Sequence, residues 1–335
     1  MFEDIKKIVE KNYDIKVDNI KKVKNVYNIE SDNKYFALKV IKYEFPHFLF
    51  IYKAMKHLQS NGYNKIPEFI PTKDGKEYIE VFNNYAYLNP WMDARESNYD
   101  NFFDIYKSTI NLAELHKKSE GFIVTEDMKP RIGWLKWIET FKTRKDEIFD
   151  FKRRIDKKPK KSEFDIEYEA IMEGELKRCD ESLNILKNSL YEELMKKEMR
   201  KNGFCHHDYA NHNILIGRDE DIYLIDFDYC ILDTHLHDLC SLLIRRMKDG
   251  KWSIYNALDI LKVYGEIYPI YKEEIPVMAG FMNFPQIYWQ LGIQYYWEEQ
   301  PWNEEFFLKK LRKYILDIEQ KEEFIKKFEK LNVFN

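Results

Sequence analysis

One stretch, residues 204–240 (FCHHDYANHNILIGRDEDIYLIDFDYC and onward to Cys240), constrains the fold more than any other part of the chain. A polar loop, His206-His207-Asp208, is followed five residues later by Asn213. Two short apolar runs come next, Ile214–Ile216 and Ile222–Ile225, separated by the turn-forming GRDED. Alternating short runs around such a turn predict a β-hairpin. An acidic pair, Asp226 and Asp228, flanks Phe227 directly after the second run. Closing the hairpin brings Asp208, Asn213 and Asp226 together, an arrangement that is costly without a cation. Oxygen donors few in number suit Mg²⁺, which completes its shell with phosphates and water.

Upstream, the periodicity predicts strands. Val23, Val26 and Ile29, then Tyr35–Ile41, alternate around the polar turn SDNK. Lys39 lies inside the second run. An ammonium in an apolar strand is expensive unless paired, so Lys39 either snorkels at an edge or faces an anionic ligand. Residues 45–59 read as a helix with Phe48, Ile51, Tyr52, Met55 and Leu58 on one face. Tyr78–Phe82 and Tyr85–Leu88 read as a further strand pair meeting at Asn83-Asn84. Pro90 then ends the sheet, placing a lobe boundary near residue 92.

From residue 98 the pattern is almost wholly helical. Phe102, Phe103, Tyr106, Ile110, Ala113 and His116 share one face. A helical basic segment, 133–200, is broken at KKPKK (157–161); Lys and Arg outnumber Asp and Glu over 142–161. Such a run is a solvated face or a docking patch for an acidic partner. Beyond the hairpin, residues 237–331 return to helices rich in aromatics, which form core or wall a pocket. The plan is a strand-rich lobe over 1–92 and a larger helical lobe over 93–335 with an embedded hairpin.

Composition excludes several classes. With 44% apolar and 33% charged residues among 335, the chain reads as a soluble globular protein. No segment has the length and apolarity of a membrane span, and the amphipathic start carries no secretory signal, so synthesis in the cytoplasm is expected. A net charge of −4 gives no reason to expect nucleic-acid binding. Cys179, Cys205, Cys230 and Cys240 have no paired spacing and read as buried thiols. Five histidines between 206 and 237 raise the alternative of a metallohydrolase, although their spacing fits no standard zinc cluster.

Phosphoryl transfer needs a cation site, a lysine for phosphate charge and a carboxylate for the attacking hydroxyl. Lys39, Asp208, Asn213 and Asp226 occur in a workable order for it. HHDYANHN, then IDFD, then DTHLHDL resemble the motif series of aminoglycoside phosphotransferase/choline kinase-like enzymes. That resemblance implies an α+β, bilobal protein-kinase-like fold using ATP and Mg²⁺ on a hydroxyl acceptor. It implies Asp208 as catalytic base, Asn213 and Asp226 as metal ligands, Lys39 as the phosphate lysine, and His206 with Asp238 bracing the catalytic loop. The phrases FLFIYKAMKHLQSNGYNKIPEFIPTKDGKEYIE, WMDARESNYDNFFD, ELHKKSEGF, GFCHHDYANHNILI and DLCSLLIRRM resemble CotS-type spore coat proteins, a branch of the same superfamily. This implies a spore-coat location and coat-protein partners, with a structural pseudokinase as the alternative to an active enzyme.

Two departures stand against turnover. The turn expected to cover a nucleotide, about Asn25–Ser31, has no glycine to let the backbone approach phosphates; Asn25 and Asn28 are the side chains that could substitute. The 45–59 helix has no acidic residue to hold Lys39, only Glu44 at its threshold and Glu68 beyond it.

Overall fold

The computed structural model describes residues 2–24 and 26–331; Asn25 lies outside them. The chain packs as two compact units. The first comprises residues up to Arg131 together with His206–Ile231.

This unit opens with helix α1 (Phe2–Asn12), which buries Ile5 and Val9. Strands β1 (Asn19–Val23), β2 (Val26–Ser31), β3 (Lys34–Ile41), β4 (Ile79–Val81) and β5 (Asn84–Pro90) form one sheet in the order β1-β2-β3-β5-β4. Every neighbouring pair is antiparallel. Alternation in β2 sends Tyr27, Ile29 and Ser31 to one face, where Tyr27 and Ile29 join Ile5, Val9, Leu38, Val81 and Leu88 in the core. Asp32 and Asn33, both with positive φ (47° and 59°), make the two-residue turn into β3. Asn28 is therefore a strand residue, opposite Ala37, rather than part of a nucleotide-covering turn. The β4–β5 turn is Phe82-Asn83, with Asn84 paired to Val81, one residue earlier than expected. Helix α2 (Phe45–Ser60), with Pro46 in its first turn, lies between β3 and β4 in the chain.

A second sheet orders β6 (Ala94–Glu96), β7 (Ile214–Gly217) and β8 (Ile222–Leu224) side by side. The hairpin expected at 214–225 is the β7–β8 pair, in the register Ile214↔Leu224. Helix α3 (Phe102–Ser119) begins at Asn101, whose side chain caps the amides of Phe103 and Asp104.

The second unit, residues 132–205 and 232–331, is helical. It holds α4 (Trp137–Asp156), α5 (Glu163–Asn188), α6 (Tyr191–Lys201), α7 (Leu236–Met247), α8 (Ile254–Gly265), α9 (Glu274–Asn283), α10 (Gln286–Gly292) and α11 (Glu304–Phe328). After KKPKK, Ser162 and Asp165 form a capping box that starts α5. The basic run is largely neutralised inside this unit: Lys145 pairs with Asp180, Lys158 with Asp165, and Lys161 with Glu169. That pairing favours the solvated-face reading of 142–161. Many of the late aromatics form core, with Tyr168 stacked on Tyr288 at 4.0 Å and Phe141 on Phe284 at 4.1 Å, whereas Tyr255 and Trp297 are exposed.

Candidate active site

The loop before β7 is fixed by its own backbone and by α3. The Ala210 amide donates to the Asp208 carbonyl at 2.8 Å, and Asn211–Asn213 form one 3₁₀ turn. Buried Tyr209 anchors the loop: its hydroxyl donates to the Ser108 carbonyl at 2.7 Å and accepts from Asn111 Nδ2 at 2.9 Å. Neither partner was legible in the sequence, because α3 lies about a hundred residues away in the chain.

Asn213 is buried and donates its Nδ2 to both the Asp208 carbonyl (2.9 Å) and Asp208 Oδ2 (3.0 Å). With the amide nitrogen committed to Asp208, the side-chain oxygen is the atom left to meet a cation. The Ile225 amide donates to the Asn213 carbonyl at 3.0 Å, extending the β7–β8 ladder by one rung. Asn213 therefore lies beside the residue that precedes Asp226. His206, also buried, has Nε2 2.9 Å from the Ile225 carbonyl, and its ring meets Phe227 edge-on at 4.7 Å.

Asp226 ends this segment in a left-handed conformation (φ 67°, ψ 62°). For a residue other than glycine that conformation costs roughly 1 kcal/mol. It turns the chain into the 3₁₀ turn Phe227–Tyr229, whose Phe227 is fully buried. Asp226 and Asp228 both meet Lys39 on β3. Lys39 Nζ is 2.8 Å from Asp226 Oδ1 and 3.1 Å from Asp228 Oδ2.

Electrostatics follow from that geometry. Burial depresses the Lys39 pKa, but Asp228 and Asp226 outweigh it and leave the ammonium more basic than usual. Burial pushes the Asp228 carboxyl up, partly opposed by Lys39 and reinforced by Asp226. One ammonium thus serves two carboxylates, and Asp228 Oδ1 is buried with no hydrogen-bond partner among the described residues. Surplus negative charge on Asp226 and Asp228 is a setting that a divalent cation such as Mg²⁺ would relieve, and Asn213 and Asp226 are the residues that could hold it.

Helix α2 has no Asp or Glu; Glu44 at its start is exposed, 3.7 Å from Lys129. Glu68 offers its backbone carbonyl to Asn89. Asp238 belongs to the second unit, fully buried in the first turn of α7 with Oδ1 3.2 Å from His237 Nδ1. His206, His207 and His212 belong to the first unit, His235 and His237 to the second. His212 is exposed, and His235 lies in the second unit between Glu198 (2.9 Å) and Glu274 (3.5 Å).

A family profile described as "Spore coat putative kinase YutH" matches residues 6–328. The chain belongs to that family. Its members' association with the spore coat agrees with a curated relative, spore coat protein S of Bacillus subtilis (strain 168). That relative is 24% identical over 310 residues, covering 92% of this chain and 88% of the relative. Among solved structures, this YutH-family chain is similar to an aminoglycoside phosphotransferase from Alicyclobacillus acidocaldarius. The TM-score is 0.84 at 19% identity, over 96% of this chain and 94% of the other. It is also similar to spectinomycin phosphotransferase APH(9)-Ia, solved with ADP and spectinomycin, at TM-score 0.68 and 16% identity, covering 98% of each chain. The fold is the protein-kinase-like fold of aminoglycoside phosphotransferases and choline kinases, as the motifs implied.

Proposed function

We propose that this YutH-family chain is an ATP- and Mg²⁺-dependent phosphotransferase acting on a hydroxyl acceptor, and that it works in the spore coat beside other coat proteins. The observation that carries this reading is Lys39, a buried β3 ammonium 2.8 Å from Asp226 Oδ1 at the end of the β7–β8 hairpin. The sheet of residues 1–92 would be the nucleotide-binding lobe, with Lys39 meeting the α- and β-phosphates. Residues 93–335 would be the lobe that supplies the catalytic loop. Asn213 and Asp226 would hold the Mg²⁺, which when bound neutralises charge on the phosphates.

In the transfer itself, the acceptor oxygen forms a bond to the γ-phosphorus while the bond to the ADP oxygen breaks. Asp208 accepts the proton that the acceptor hydroxyl loses. Asn213 fixes the Asp208 carboxylate for that task, and His206 holds Ile225 so that Asp226 is presented. The spectinomycin phosphotransferase neighbour was solved with ADP, which supports a nucleotide as the donor.

The test is an acceptor screen with γ-labelled ATP over amines, aminosugars and coat-protein extracts. Transfer should appear with wild type and fall by at least about a hundredfold in Asp208→Asn, the usual scale of losing a general base. Transfer that survives Asp208→Asn unchanged overturns the assignment of the base.

One observation favours a second reading, a pseudokinase that serves the coat structurally. Among the described residues, the β1–β2 connection has no glycine, and α2 offers no acid to Lys39. Normal coats in an Asp208→Asn strain support that reading; a null-like coat with the protein at wild-type level contradicts it.

A further inference from the structure

Lys39 is buried in the middle of β3, between Val26 of β2 and Tyr87 of β5 in the sheet register. A lysine so placed needs a fixed counter-charge, or its ammonium is neither stable nor aimed. The sequence of α2, FPHFLFIYKAMKHLQS, cannot supply one, and its buried positions are apolar. Glu77, the acid that meets α2, is engaged with that helix itself, accepting from Tyr52 at 2.6 Å and from Lys56 at 2.9 Å.

We propose that Asp228 is the positioning residue of Lys39, replacing a helix carboxylate with one carried on the same short turn as the cation ligand. This role rests on the phosphotransferase reading above. The two carboxylates on Lys39 differ in setting. Asp226 is 37% exposed, whereas Asp228 is 21% exposed. Asp228 follows Phe227, which is fully buried and packs against the His206 ring. Asp226 is therefore the partner that can turn to a cation, and Asp228 is the partner that stays. When Asp226 is drawn to Mg²⁺, Lys39 keeps one charged contact and remains aimed at the site. The lysine and the cation site are coupled through three consecutive residues, Asp226-Phe227-Asp228, instead of through a separate helix.

The test is a double-mutant cycle with wild type, Lys39→Met, Asp228→Asn and the double variant, plus Asp228→Glu. Binding of ATP·Mg²⁺ and of adenosine is measured by calorimetry. Asp228→Asn should weaken ATP·Mg²⁺ about tenfold, the scale of one charge-assisted hydrogen bond, and leave adenosine affinity unchanged. Asp228→Glu should recover part of the loss, and the double variant should bind no worse than Lys39→Met. Additive losses, or an equal loss for adenosine, overturn the proposal and mark Asp228 as acting independently of Lys39. The same four proteins are also compared by urea denaturation without nucleotide. There the double variant should be less destabilised than the two single effects combined, and additivity overturns the tether. If wild type binds no ATP·Mg²⁺, the phosphotransferase reading fails, and the denaturation cycle alone decides whether Asp228 holds Lys39.

Discussion

Asn213 Nδ2 lies 3.0 Å from Asp208 Oδ2 and 2.9 Å from the carbonyl of the same residue, so one buried amide fixes both the side chain and the backbone of the candidate base. Replacing Asn213 by Ala removes that clamp and, on the proposed reading, one ligand of the Mg²⁺. Such a loss at a buried site costs roughly 1–3 kcal/mol. Melting in ATP should therefore lose its Mg²⁺-dependent rise in Asn213→Ala, while the protein without nucleotide melts within a few degrees of wild type. Differential scanning fluorimetry at fixed ATP and varied Mg²⁺ checks this.

Tyr209 ties the same loop to α3 through its hydroxyl. Tyr209→Phe keeps the buried ring but leaves the Ser108 carbonyl and the Asn111 amide without their shared partner. The expected cost is about 1–3 kcal/mol of folding stability, together with faster hydrogen exchange of amides 206–213. Exchange mass spectrometry on that peptide tests the second effect.

Buried His235 sits with Nδ1 2.9 Å from Glu198 and Nε2 3.5 Å from Glu274, while Lys201 pairs with Glu198 from the other side. Burial lowers its pKa, but Glu198 and Glu274 more than reverse that and raise it above the ordinary 6.5. A raised histidine contributes stability that is fully present below pH 6.5 and is lost as pH rises through the folded value. Glu198 behaves oppositely. Burial raises its pKa, yet His235 and Lys201 pull it down to about 2, so its share is present above 4.5 and lost as pH falls toward 2. Glu274 is raised, chiefly by burial, and so also loses stability with rising pH. Urea midpoints of wild type should therefore fall as pH rises above 6.5 through the folded value of His235. His235→Asn should be destabilised by about 3 kcal/mol at pH 6 and show a flatter decline.

Gly292 ends α10 against the Phe151 ring and the Tyr168 hydroxyl, so an added Cβ would strike both. Gly292→Ala should cost about 1–3 kcal/mol by overpacking, despite the better helix propensity of alanine. Thermal denaturation of the variant tests it.

What the sequence disclosed follows the range of the forces involved. The β7–β8 hairpin and the lysine-bearing strand were legible because alternation and turn residues are local signals. The turn was misplaced by one residue because Asn83-Asn84 is the locally favoured pair for positive φ, whereas strand register, a tertiary property, puts the turn at Phe82-Asn83. The basic run over 142–161 left a solvated face and a docking patch both open in the sequence, because its partners Asp165, Glu169 and Asp180 lie on the next helix. Asp228 as a partner of Lys39 was invisible for the same reason: it lies 189 residues from Lys39 in the chain, two beyond Asp226 at 187. The motif order alone suggested a site at Asp208, Asn213 and Asp226; the missing acid on α2 was legible, but its substitute was not.

The most direct test of the central claim is calorimetric titration of ATP into wild type and Asp226→Ala, each with and without Mg²⁺. The account predicts binding to wild type that requires Mg²⁺ and is lost in Asp226→Ala, with the variant still folded. Equal affinity in all four titrations, or no heat of binding to wild type at saturating ATP·Mg²⁺, would contradict it.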